Sequence, residues 1–136
     1  MIEITETRDI ATCRKLRRIV FIEEQGVSEA DEIDDVAIHL LATQDGTPVG
    51  SARLFIQAET GKTGRVCMLK EARGTGLGAK LILAALETFR TRDGVSRAKL
   101  GAQVHALGFY EKLGFTPVGE VYDDAGIPHR DMIRPL

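Results

Sequence analysis

Residues 65–78 read Arg65-Val66-Cys67-Met68-Leu69-Lys70-Glu71-Ala72-Arg73-Gly74-Thr75-Gly76-Leu77-Gly78: an apolar strand, a short charged loop and three alternate glycines that open a helix. Gly76 and Gly78 fall in the expected first turn of that helix. Each costs about 1 kcal/mol there relative to Ala, so helix stability does not account for them. Close approach of a ligand to the backbone does. First-turn N–H groups lack intrahelical acceptors, and with the helix dipole they favour an anion by roughly 0.3–1 kcal/mol per charge. A pyrophosphate suits this cradle, and Arg73 adds positive charge beside it. The competing reading is a tight strand-to-helix turn with glycines for packing alone.

Gly74-Thr75-Gly76-Leu77-Gly78-Ala79 also fits GxGxxA, a dinucleotide fingerprint. A Rossmann domain needs several parallel βαβ crossovers, whereas three hairpin-like strands precede this loop and too short a chain follows it. Tyr110 is a second candidate for chemistry. Ala106, Phe109, Tyr110 and Leu113 share one helical face, so a plain core aromatic is its competing reading. Cys13 and Cys67 are too far apart for a CxxC motif or a metal knuckle. Cys67, between Val66 and Met68, has no evident Cys-His constellation and reads as a small buried hydrophobe. His39, His105 and His129 show no HxxxH spacing, so no metal site is expected.

The elements that must position these residues follow from periodicity. Residues 2–5 alternate as a half-buried strand, and 8–25 take helical spacing until Gly26. Residues 28–35 carry Glu29, Asp31, Glu32, Asp34 and Asp35 without a base, which reads as an exposed acidic loop. Strands are expected at 37–43 and 49–57 around Asp45-Gly46, then a turn at 60–64 and a strand at 65–69. A helix over 76–92, a strand over 98–103, a helix over 104–113 and strands at 115–122 and 130–133 complete the chain. Residues 1–136 thus read as one domain.

Of the 136 residues, 43% are hydrophobic, and 18 bases against 20 acids give a net charge of −2. That composition suits a packed globular domain and argues against a general nucleic-acid binder. The acidic N-terminus lacks the apolar core of a secretory signal, and the longest apolar run is far short of the roughly 20 residues a membrane span needs. A cytoplasmic protein without membrane or nucleic-acid partners is expected. A homodimer is the default should it assemble.

Arg73-Gly74-Thr75-Gly76-Leu77-Gly78 resembles the acyl-CoA pyrophosphate loop of the GNAT superfamily of N-acetyltransferases. Ala106-Leu107-Gly108-Phe109-Tyr110-Glu111-Lys112-Leu113-Gly114-Phe115 resembles that superfamily's A-x-x-x-Y-x-x-x-G-F segment, and the order of elements is similar along nearly the whole chain. Val20-Phe21-Ile22-Glu23-Glu24-Gln25-Gly26, the acidic loop, His39 and Ile127-Pro128-His129 are similar to the small ElaA-like branch.

The resemblance implies an α/β fold with a mixed, mostly antiparallel sheet of six or seven strands flanked by helices. It implies acetyl-CoA as co-substrate and a small-molecule or peptide amine as acceptor. Val66, Cys67 and Met68 match the strand whose backbone groups bond the pantetheine arm and the thioester, and Arg73, Gly74, Thr75, Gly76, Leu77 and Gly78 match the pyrophosphate loop. Tyr110 matches the tyrosine that donates to the departing thiolate. Gln103 stands where many relatives have Asn, and the fifth strand lacks the carboxylate that some relatives use as base.

The chemistry agrees. A phenol of pKa ~10 stays protonated near neutrality and can donate to a thiolate. An aliphatic amine of pKa ~10.4 is neutral in only about one molecule in 2,500 at pH 7, so a base must take its proton. Glu24, Glu32, Asp34, His39 and His129 are the candidates, with Glu24 and His39 favoured. An acidic acceptor side facing a basic cofactor side is expected. A non-catalytic acyl-CoA sensor is the alternative function.

Overall fold

The protein's structure, a computed structural model, describes residues 1–24 and 37–136, with the backbone alone for 22–24. The expected acidic loop, with Glu32 and Asp34, lies outside the described residues, as does the side chain of Glu24. One sheet contains β1 (Ile2–Thr7), β2 (Ile38–Gln44), β3 (Thr47–Gln57), β4 (Thr60–Met68), β5 (Arg97–Gln103), β6 (Thr116–Asp124) and β7 (Ile127–Pro135). Their spatial order is β1-β2-β3-β4-β5-β7-β6. Every neighbouring pair is antiparallel except β4 with β5. This is the mixed α/β architecture that the sequence predicts, with seven strands. Among the described residues no helix is long and apolar enough to cross a membrane.

Asp9 caps α1 (Ile10–Arg17), accepting from the Thr12 backbone N–H at 3.2 Å and its hydroxyl at 2.6 Å. The expected single helix over 8–25 instead continues from α1 as a π-helical segment, Arg18–Glu24. α2 (Leu77–Arg90) covers one face of the sheet with Leu77, Leu81, Ile82, Ala85, Leu86 and Phe89, all buried. On the opposite face, Leu16 of α1 and Val20 pack with Cys67. A short 3-10 turn, Val104–Ala106, precedes α3 (Leu107–Lys112), so the expected helix over 104–113 is split.

The turn expected at 60–64 is a strand. The chain reverses one step earlier, with Ala58 at φ +54, and Thr60 already belongs to β4. Gly61, part of the basis for that expectation, has another role. An added Cβ on Gly61 would lie 2.5 Å from the Phe89 ring, so the absent side chain lets α2 settle onto β4. β6 and β7 likewise extend further than expected and join through Ala125 and Gly126, both at positive φ.

Gly61→Ala forces that methyl into Phe89 and is expected to destabilise the fold by about 1–3 kcal/mol. Adding Phe89→Leu should recover part of the loss. Urea unfolding midpoints of the single and double variants measure both effects.

Candidate active site

β4 and β5 pair in parallel only from Thr60 with Arg97 to Thr63 with Leu100, and then separate. The separation begins at a β-bulge. Ser51 faces Cys67 and Arg53 faces Gly64, so β4 holds one more residue than β3 over this stretch. Arg65, inside the bulge, takes φ +50. Beyond it, the Leu69 N–H donates to the Val49 carbonyl at 2.8 Å. Antiparallel alternation therefore turns the Met68 carbonyl away from β3, towards the side that β5 has left open. Arg73 reaches this carbonyl, donating from Nη2 at 3.0 Å and Nε at 3.3 Å.

A groove of about 410 Å³ lies on the α2 face of this opening, lined by Val66, Met68, Gly74, Gly76, Leu77, Gly78, Ala79, Ile82, Phe109 and Tyr110. Gly76 is the N-cap of α2 at φ +81, and no side chain caps the helix. Thr75 donates its hydroxyl back to the Ala72 carbonyl at 2.6 Å, which keeps it away from the helix end. The first-turn N–H groups of α2 are left facing the groove, an arrangement suited to a phosphate. The three glycines answer different constraints. Gly74 at φ +78 and Gly76 adopt a left-handed backbone with open space at the Cβ position. A Cβ on Gly78 would meet Met68 Cε at 3.3 Å.

Tyr110 is fixed by the end of its own helix. The Gly114 N–H donates to the Glu111 carbonyl at 3.0 Å and the Phe115 N–H to the Tyr110 carbonyl at 3.1 Å, with Gly114 at φ +91. These are the paired bonds of a Schellman cap, and the Tyr110 and Phe115 rings meet edge-on at 6.1 Å as its apolar contact. The Y-x-x-x-G-F spacing is thus a helix stop that anchors a tyrosine against buried Phe115. Burial pushes the Tyr110 phenol above its ordinary pKa, so it stays protonated.

A second cavity, of about 470 Å³, opens on the α1 face. Phe21, Arg53, Arg65, Gln103, Tyr122, Asp124 and His129 contribute to its walls, and Val66 and Tyr110 line it as well as the groove. The two spaces therefore meet where β4 and β5 part. Tyr122 donates to Asp131 Oδ1 at 2.7 Å, and its ring stacks on His129 at 6.0 Å. A Cβ on Gly101 of β5 would lie 2.5 Å from the Tyr122 hydroxyl, so the missing side chain makes room for this tyrosine.

The structure gathers most of the residues nominated from sequence. Val66, Met68, Gly74, Gly76, Leu77, Gly78 and Tyr110 converge on the groove, flanked by Arg73 and Thr75. Gln103 lies on the second cavity, its Oε1 accepting from His105 Nε2 at 2.6 Å. The Cys67 side chain is buried on the α1 face, 3.4 Å from the Ser51 hydroxyl. His39 is buried on β2 and lies outside both linings. The described charges around the second cavity are mixed: Arg53 and Arg65 with Asp124. Gly101, Tyr122 and Asp131 were absent from the sequence candidates because only the β5-β7-β6 register brings them together.

Residues 19–136 match the acetyltransferase (GNAT) domain family. The chain belongs to that family. It is 42% identical over 139 residues to YyaT, an uncharacterised protein of Bacillus subtilis, covering 98% of this chain and 93% of YyaT. It is 37% identical to the uncharacterised N-acetyltransferase YjcF of the same organism, over 88% of this chain and 87% of YjcF. The crystal structure of Escherichia coli ElaA superposes with a TM-score of 0.85 at 31% identity, covering 98% of this chain and 99% of ElaA.

Tyr122 is also held protonated, its pKa pushed up to about 12 by burial, by the bond to Asp131 and by the negative charges of Asp131 and Asp124. Titration of the folded protein followed by phenolate absorbance should therefore show neither tyrosine ionising at the ordinary value near ~10. Unfolded chains lose those protons first, so stability should fall as pH rises from about 10 towards 12. Tyr122→Phe should flatten that fall in unfolding measured across the same range.

Proposed function

We propose that this protein transfers an acetyl group from acetyl-CoA to a primary amine, by direct attack in a ternary complex. The supporting observation is the junction of two separate spaces at Val66 and Tyr110, one ending on an uncapped helix N-terminus and the other open on the opposite face. The pyrophosphate sits against the first turn of α2, and Arg73 exchanges the Met68 carbonyl for phosphate oxygens. The pantetheine arm follows the free side of β4 past Met68 and Val66, which brings the thioester to the opening.

The acceptor, a small molecule or a peptide amine, occupies the second cavity and attacks the carbonyl through the gap. Binding both reactants supplies proximity, and the open β4 backbone supplies donors for the developing oxyanion. The C–N bond forms as the C–S bond breaks, and Tyr110 gives its proton to the thiolate. Direct attack is favoured because the only thiol near the junction among the described residues, Cys67, is buried on the α1 face outside both linings. The second cavity also favours an enzyme over a cofactor sensor, which needs no space for an acceptor.

Arg73→Glu should sharply weaken acetyl-CoA binding in calorimetry, and an unchanged affinity would remove the loop assignment. Tyr110→Phe should lower turnover on the order of 10²-fold while changing acetyl-CoA affinity little. Tight acetyl-CoA binding without transfer to any of a broad panel of primary amines would identify a sensor instead.

A further inference from the structure

The proposed reaction needs a base, and the acceptor cavity offers candidates. Among its described lining residues, Asp124 and His129 are the proton acceptors. His129 Nδ1 lies 2.7 Å from the Ile127 carbonyl oxygen, which can only accept, so Nδ1 carries the proton. In the neutral ring, Nε2 then keeps its lone pair. The ring plane is set as well. Tyr122 stacks against it with 25° between the planes and is itself tied to Asp131. Tyr122 can lie there because position 101 of β5 is glycine. β6 and β7 thus supply a proton acceptor in a fixed orientation where the fifth strand provides no carboxylate.

We infer that His129 is the general base of this protein, taking the acceptor's ammonium proton on Nε2, and that Tyr122 and Gly101 are positioning residues for its ring. This rests on the transfer reaction proposed above. The protons balance. The acceptor arrives with three N–H bonds and leaves as an amide with one. One proton reaches the CoA thiolate through Tyr110, and the other leaves through His129 to solvent. The charged and titratable groups sharing the cavity with His129 are Tyr122 and Asp124 from β6, Arg65 from β4, Arg53 from β3 and Tyr110 from α3, while neutral Gln103 faces it in register from β5.

Two readouts test the inference. Long-range 15N–1H correlation of the intact protein should show neutral His129 protonated on Nδ1 and bare on Nε2; the opposite tautomer would overturn the assignment whether or not transfer is observed. In kinetics with saturating acetyl-CoA, His129→Gln should lower kcat/KM for benzylamine, which arrives as an ammonium, by about 10²–10⁴-fold. For aniline, which arrives neutral, the loss should be much smaller, and acetyl-CoA affinity should be unchanged for both. Equal losses for the two amines would reduce His129 to a structural role. A wild type that acetylates neither amine would count against the transfer reaction itself, leaving the tautomer to decide whether His129 is set up as a base.

Discussion

The parting of β4 from β5 after Thr63 is the constraint on which the site depends. A parallel ladder continued to Met68 would pair the outward backbone groups of β4 and close the sheet between its two faces. The bulge prevents this. One extra residue and a left-handed Arg65, at a cost of order 1–3 kcal/mol, turn β4 aside. The α2 side then offers helix N–H groups and a groove, and the α1 side offers a polar cavity. Each face thus carries its own space, and the two spaces meet at the opening.

Two helix ends hold the edges of this opening, by opposite means. At the N-terminus of α2, Gly76 provides a left-handed cap without a side-chain acceptor, and Thr75 turns its hydroxyl elsewhere. At the C-terminus of α3, backbone donors satisfy the last carbonyls completely enough to fix Tyr110 against Phe115. An unsatisfied end suits ligand binding and a satisfied one suits positioning. Both depend on glycines at positive φ, so residue type alone does not separate the two roles.

This explains what the sequence made legible. The glycine loop and the Y-x-x-x-G-F segment are local: their bonds span five residues or fewer, and spacing along the chain records them directly. Residues 60–64 were misread because Gly61 answers to Phe89, a contact made 28 positions away. The same limit hid Tyr122, which meets His129 only through the β6-β7 register. A signal for it was present in Asp124-Ala125-Gly126-Ile127, where a tight two-residue turn sets Tyr122 opposite His129. Which way Cys67 faces was equally invisible, since the bulge at Arg65 alters the strand's alternation.

The two tyrosines show why a raised pKa does not by itself define a role. Tyr122 keeps its proton through desolvation, reinforced by the bond it donates to Asp131 and by the negative charges of Asp131 and Asp124. Its hydroxyl is committed, and its ring is what the cavity uses. Tyr110 keeps its proton through burial, and among the described residues its hydroxyl makes no side-chain hydrogen bond. In the proposed reaction, this protonated and uncommitted donor at the junction is matched to the thiolate that appears when the thioester breaks. In the proposed transfer the same lack of solvation makes a bare thiolate costly, so a hydrogen bond from the Tyr110 phenol stabilises it, and the proton passes across only as the acceptor's proton replaces it on the phenol.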